Sequence, residues 1–369
     1  MNNLKLNYLE SAFLVVIVTI THLILNMPNT LIETTGSASI INTIYVTVLA
    51  LLLFSIIKKL LDPFENNNII YVAEFLGGKI LKIIITVLYL AHFIFISAIL
   101  LRNFAEFLKI IYFPQASLWT ILSAFLLVSL IVNRLGGKNI VKANAILMIP
   151  ILLTIVITAI SLIGKLEFNR VFPILGYGFK ETFFNGATNI YAFSGILYLL
   201  LIKPYLKNSK NFSKIGYLSI IISGIYLVLI VSALLMMFPY IQLGNDTLSV
   251  YLSTRIIEYG KFMQRTDAIY MFVWIFDFLS YLSIIVLFIT QISKQSFNLK
   301  KTPLYSYIVA FIIFIVAMLP NNTTELEFFE TTIYKYSSIG IVFVVSFIVL
   351  VLGYLKKKKE GNKIRYEVT

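Results

Sequence analysis

Leu25-Asn26-Met27-Pro28-Asn29 breaks the first apolar run of this chain, and Phe193-Ser194-Gly195 breaks the sixth. The first run extends from Leu9 to Leu25, and a short apolar turn after the break ends at Gly36. Proline has no backbone N–H and its ring clashes with the carbonyl four residues back, so a helix does not pass Pro28 undisturbed. The sixth run carries Gly186 and Asn189, then Phe193-Ser194-Gly195, then the apolar stretch Ile196–Ile202. Glycine inside a helix is about 1 kcal/mol less favourable than alanine. Both places are expected to hold irregular backbone within otherwise apolar helices.

The composition says what surrounds those helices. Of 369 residues, 59% are hydrophobic and only 13% charged, where a soluble domain is nearer half and a quarter. A soluble enzyme, a disordered chain and a nucleic-acid-binding domain do not fit. Cysteine is absent, which removes disulfides, thiolate chemistry and cysteine metal sites. There is no His-x-x-x-His pair, no phosphate-binding glycine loop and no Ser/His/Asp set. No catalytic residue, metal or cofactor is expected. Gly77-Gly78 and Gly136-Gly137, each followed by lysine, read as turns.

A helical span needs about 20 mostly apolar residues. Ten runs qualify, at roughly 9–35, 38–57, 80–107, 115–133, 140–163, 182–204, 215–239, 266–292, 303–320 and 335–355. The fold class is therefore an all-α polytopic membrane protein forming a single integral membrane domain. With the N-terminus inside, 21 of the 30 basic residues fall on the inner side and nine on or near the outer side. That asymmetry follows the positive-inside rule and puts both termini in the cytoplasm. The net charge of +13 is an orientation signal on a lipid bilayer, not a nucleic-acid footprint. The basic tail, 356–369, opens on Lys356-Lys357-Lys358-Lys359. It reads as an anchor on the anionic inner leaflet or as a docking site for a soluble partner.

The breaks fall in spans 1 and 6, which are equivalent positions if the ten spans form two sets of five. The sets are then residues 9–163 and 182–355, and because five is odd the second inserts upside down relative to the first. Inverted repeats of this kind place a ligand near mid-membrane between discontinuous helices. Half-helix N-termini there attract carboxylates, and freed carbonyls attract amines or cations.

Ionisable groups at membrane depth point to function. Asp277, in Trp274-Ile275-Phe276-Asp277-Phe278-Leu279-Ser280-Tyr281, shares a helix face with Trp274 and Tyr281. Two readings stand: an ammonium partner aided by the aromatics, or a protonated carboxyl bonded to a neighbouring helix. Tyr89, Phe93 and Ser97 form one stripe of span 3, with His92 beside it. His22 lies about a turn before the first break and is expected to be hydrogen-bonded. Arg102 and Glu106 read as an interfacial ion pair of small value. In the outer connection, Leu248–Phe262 has helix-like apolar spacing and reads as an amphipathic helix capping the bundle or gating it.

Two further stretches carry a family likeness. They are Phe172-Pro173-Ile174-Leu175-Gly176-Tyr177-Gly178 before span 6, and Glu258-Tyr259-Gly260-Lys261-Phe262-Met263-Gln264-Arg265-Thr266-Asp267-Ala268 leading to Trp274. With the ten-span layout, they make the chain resemble the B subunits of spore germinant receptors (the GerAB type), within the amino acid–polyamine–organocation transporter superfamily. The resemblance implies a LeuT-like fold in the spore inner membrane. It implies recognition of a small germinant, commonly an amino acid, together with A- and C-type receptor subunits. It places the pocket among spans 1, 3, 6, 8 and 10. The candidate ligand-binding residues are then Asn26, Met27, Pro28 and Asn29 at the first break. Gly186, Asn189, Phe193, Ser194 and Gly195 flank the second. Tyr89, Phe93, Ser97, Trp274 and Tyr281 supply walls, with Asp277 as amine partner. A H⁺- or Na⁺-coupled amino acid or polyamine transporter is the alternative.

Overall fold

The computed structural model describes residues 5–24, 26–243, 249–257, 267–297 and 302–367, with backbone alone at 24, 242, 302, 303 and 361–367. Apart from one isolated parallel bridge, Leu6 to Leu206, regular structure among the described residues is helical. The first half holds α1 (Tyr8–Ile24), α2 (Met27–Thr35), α3 (Ser39–Leu61), α4 (Ile69–Ile111), α5 (Leu118–Arg134) and α6 (Gly137–Leu162). A π turn (Lys180–Phe184) and a 3-10 stretch (Asn185–Phe193) lead into α7 (Ile196–Ile202). Then come α8 (Phe212–Met237), the short α9 (Tyr240–Leu243) and α10 (Ser249–Arg255), α11 (Asp267–Phe297) and α12 (Thr302–Ala317). The last helical run is α13 (Thr323–Phe328), a π turn (Phe329–Tyr334), α14 (Lys335–Ser338), a second π turn (Ile339–Val345) and α15 (Ser346–Glu367).

Six helical stretches among the described residues are long and apolar enough to cross a membrane. They become seven when Lys180–Phe193 and Ile196–Tyr205, bent by 44° at their junction, count as one broken span. Three apolar helices are shorter: Tyr8–Leu23, Leu118–Arg134 and Leu304–Ala317. They stand where spans 1, 4 and 9 are expected. The bundle is apolar outside as well as inside, with Ile146, Ile160 and Phe311 among the exposed side chains. A surface of that kind is matched to lipid.

Local chemistry sets the breaks. Pro28 falls in the first turn of α2, where its missing N–H has no helical acceptor to serve. Gly36, at φ +61°, ends α2, and a 3-10 turn, Gly36–Ala38, leads into α3. In the Phe172–Gly178 stretch, Gly176 has φ +52°, and a Cβ there would stand 2.0 Å from the Thr35 carbonyl. The loop thus packs backbone to backbone over the outer end of span 1, and Ser37 Oγ donates to the Pro173 carbonyl. Span 3 begins earlier than its hydropathy suggested. Helix α4 starts at Ile69, but Gly77 and Gly78 leave helical geometry and set 69–76 apart as an arm. At the other glycine pair Gly136, at φ +89°, caps α6.

Contacts separate the bundle into two ends. At one, Lys203 Nζ donates to the Leu61 and Phe64 carbonyls, and Lys356 Nζ to those of Phe75 and Leu76. Lys357 reaches the Pro63 carbonyl, and Asn68 bonds Gln295. At the other, Glu167 N donates to the Met236 carbonyl and Arg102 to that of Ala317. The first two lysines of the tail are therefore spent on the protein, each also over a ring, Phe75 for Lys356 and Phe64 for Lys357. Lys358 and Lys359 stay exposed. In the outer connection α10 packs inward, with Tyr251 buried and its hydroxyl donating to Asp267 at 2.7 Å. Residues 258–262 of the expected amphipathic helix, and most of the Glu258–Ala268 stretch, lie outside the described residues.

Candidate functional site

Helix α1 delivers two polar side chains to opposite problems. Thr21 and His22 are consecutive, so they point about 100° apart around the helix. His22 faces the second break. Its ring sits edge-on to Tyr334 at 4.7 Å and 5.7 Å from Tyr191. It is buried, and neither ring nitrogen has a hydrogen-bond partner among the described residues. The hydrogen-bonded histidine expected from the sequence is not what the packing supplies: aromatic rings surround both nitrogens.

Those rings close a box at the level of the breaks. Tyr191 comes from the 3-10 stretch before the second break, and Tyr334 from the π turn of the last span. Their centroids are 5.6 Å apart, and the Tyr334 and Ser194 hydroxyls bond at 2.7 Å. From α4, His92 stacks on Tyr334 at 6.1 Å and Phe93 meets Tyr198 of α7 at 5.0 Å. Tyr281 of α11 stands near Tyr198 and Tyr334. The Tyr198 hydroxyl and His92 Nδ1 are buried without a hydrogen-bond partner among the described residues, and the Tyr281 hydroxyl stands beside Ser97. Buried polar atoms are nearly always satisfied, and their grouping here makes this the candidate site.

One rim of the box, beside the first break, is acidic. Glu330, buried on the same π turn as Tyr334, accepts from Asn26 Nδ2 at 2.7 Å and Asn103 Nδ2 at 2.5 Å, both on Oε2. Asn26 is the residue just before α2, so the first break is tied to the last span. Glu33 and Glu327 lie farther out, exposed. Burial, with Tyr240 and Glu33 nearby, pushes the Tyr177 phenol of the outer loop above its ordinary pKa.

Other expected residues make contacts within the protein. Asn189 Nδ2 donates to Asn42 of α3 at 2.9 Å, and Gly186 lies against the same Asn42. Gly195 seats the second break on α1, for a Cβ there would stand 2.0 Å from Thr19 Oγ1. Tyr89 bonds Ser346 at 2.7 Å, which joins α4 to α15. Ser97 Oγ donates to the Phe93 carbonyl at 2.5 Å. Met27, Asn29 and Phe193 are buried. Asp277 is buried beside Thr21 of α1. Thr21 already donates its hydroxyl hydrogen to the Ile17 carbonyl at 2.7 Å. Asp277 Oδ1 is buried with no hydrogen-bond partner among the described residues. Trp274 lines a cavity of about 30 Å³ toward the outer end, with Thr158, Tyr226 and Tyr270, room for about one water. Arg102 holds Glu106 at 3.0 Å as expected, with the Arg102 side chain buried.

Tyr191, Tyr198, Tyr334 and Glu330 were missed in the sequence. The tyrosines sit in apolar runs where aromatics ordinarily mean packing. Glu330 sits at the outer edge of the last span, where a carboxylate reads as solvated. A π turn carries two of them, and π turns, which favour functional sites, have no sequence signature here.

Comparison with known proteins supplies the family and the fold. A family model described as "Spore germination protein" matches residues 5–326. Spore germination protein GerQB of Bacillus cereus is 25% identical over 297 residues, 80% of this chain and 81% of its own length. Spore germination protein YndE of Bacillus subtilis is 22% identical over 346 residues, 92% of this chain and 93% of its own. Spore germination protein KB of the same species is 22% identical over 302 residues, covering 79% and 80%. Among solved structures, a Na⁺-coupled sialic acid symporter in a substrate-bound, outward-open state superposes with a TM-score of 0.65 at 11% identity, over 96% of this chain and 89% of that one. This likeness establishes a LeuT-like fold.

Proposed function

The chain belongs to the spore germination protein family, and from that membership we propose that it is the germinant-sensing B subunit of a spore germinant receptor. A small germinant, most simply an amino acid, occupies the box between the two breaks. The observation that carries this reading is the convergence of spans 1, 3, 6, 8 and 10 on buried polar atoms that the described protein does not satisfy. Binding acts by differential affinity: ligand held between His22, Tyr191 and Tyr334 stabilises one arrangement of the broken spans over another. A- and C-type subunits receive that change. The chain works in the spore inner membrane with both termini cytoplasmic, and its repeats are 9–163 and 182–355. Among the sequence candidates, Phe93, Ser194 and Tyr281 line the box, and Asn26 to Asn29 form its outer edge.

The test is direct binding. Purified full-length chain is titrated with amino acids, nucleosides and sugars, and spores lacking the gene are assayed with whatever binds. Saturable binding of a compound whose germination response disappears with the gene supports the reading. Binding by no class of compound rejects it.

The symporter-like fold favours one alternative, a H⁺- or Na⁺-coupled transporter. Uptake of the bound compound by this chain alone in proteoliposomes, dependent on an ion gradient, would establish that instead.

A further inference from the structure

We propose that Glu330 is the counter-charge for an ammonium group, so that the site takes a small amine-bearing ligand with its cation held at the first break. The proposal rests on the reading that the box holds a ligand. It moves the amine partner from span 8 to span 10.

The chemistry is that of a charge left for a visitor. A buried carboxylate needs a cation or a full set of hydrogen bonds. Glu106 has its cation in Arg102, at 3.0 Å. Glu330 has none within ion-pair distance among the described residues. It has two neutral amides, Asn26 and Asn103, and both donate to the same oxygen, Oε2. Two amide donors on one oxygen supply no compensating charge. Oε1 makes no hydrogen bond among the described residues and remains open to a further donor. An ammonium supplies both the charge and that donor.

The surroundings agree. Tyr191 and Tyr334 stand close enough to feel the Glu330 charge, and aromatic faces attract ammonium groups. Below them lies His22, buried with both ring nitrogens unpartnered, ready to accept from or donate to the rest of the ligand. Above, exposed Glu33 and Glu327 are close enough to act on each other electrostatically. Neither forms an ion pair among the described residues. A run of unneutralised acids toward a buried one concentrates small cations at the entrance. Lys335 lies over the Tyr191 ring at 5.8 Å and pairs with no carboxylate among the described residues.

Purified full-length chain is titrated calorimetrically with the twenty amino acids and, for each that binds, the acid lacking its amino group. Labelling of Glu330 by a hydrophobic carbodiimide is followed in parallel by mass spectrometry. The expected result is that the deaminated acid binds at least tenfold more weakly and that the amino acid shields Glu330. Glu330→Gln, which keeps the shape, should weaken the amino acid at least tenfold and abolish that preference, while Glu330→Asp retains it in part. Equal affinity for the deaminated acid, unchanged affinity in Glu330→Gln, or a loss that follows Asp277→Asn instead would overturn the assignment. So would shielding by sodium chloride but by no amine. If only a sugar or nucleoside binds, the receptor reading stands and the Glu330 assignment fails. If nothing of any class binds, both fail. Should Glu330→Gln not fold, carbodiimide shielding in the unaltered chain decides.

Discussion

At the residue scale, function shows itself as unsatisfied polarity. A buried donor or acceptor without a partner costs about 1–3 kcal/mol, and His22 carries two such atoms inside the bundle. His22→Leu should therefore raise the thermal midpoint of the purified chain, by about 1 kcal/mol of stability, while abolishing ligand binding. A lower midpoint together with retained binding would show that the ring is structural. Gly195 presents the opposite case. Its Cα lies so close to Thr19 that Gly195→Ala should destabilise by about 1–3 kcal/mol through overpacking. Adding Thr19→Ala should recover part of that loss, because it removes the hydroxyl 2.0 Å from the new methyl. Thermal unfolding of the single and double variants checks the coupling. Residue identity alone separates these cases poorly. His22 and Gly195 both drew attention in the sequence, yet one faces the box and the other is a packing contact. Only the direction of each across the helix interface tells them apart.

At the scale of elements, the two breaks differ in construction. The first is a clean stop: α1 ends, Pro28 opens α2, and Asn26 between them is fastened to Glu330. The second is a gradual loosening, from π turn to 3-10 stretch to α7, with a 44° bend. Glycine, asparagine and proline announced both interruptions. The π turn Phe329–Tyr334 holds no glycine, asparagine or proline, and so the face on which Glu330 and Tyr334 lie together was illegible. The basic end is held by lysines on freed carbonyls. Lys203 is 5% exposed and serves the carbonyls of Leu61 and Phe64. Each carbonyl also accepts a backbone N–H, from Phe64 and Asn67 respectively. Lys203→Met should therefore cost about 1–2 kcal/mol rather than the full price of two orphaned acceptors. Faster proteolysis within residues 61–76 should accompany it, and unchanged protection of that loop would count against the clamp.

At the scale of the whole molecule, the prediction concerns sides. The contacts that gather Lys203, Lys356 and Lys357 with 61–76, and Glu167 and Arg170 with the far end of α8, sort the loops into two groups. The charges assign the first group to the inner side and the second to the outer, and that assignment is what the prediction tests. The natural chain lacks cysteine, so single cysteines report cleanly. In intact cells, Lys180→Cys should react with an impermeant maleimide and Lys359→Cys should not until the membrane is opened. The reverse pattern would invert the molecule. Membrane character, the broken first and sixth helices and the segregation of charge were determined by the sequence itself. Hydropathy, proline chemistry and the positive-inside rule act on residues near in the chain, whatever folds around them. The make-up of the candidate site was decided by tertiary structure. His22, Tyr191, Tyr334 and Glu330 span more than 300 positions, and no local rule says which faces of five helices meet. Unsatisfied burial is a property of the packed interior, and it exists only once those faces have closed on one another.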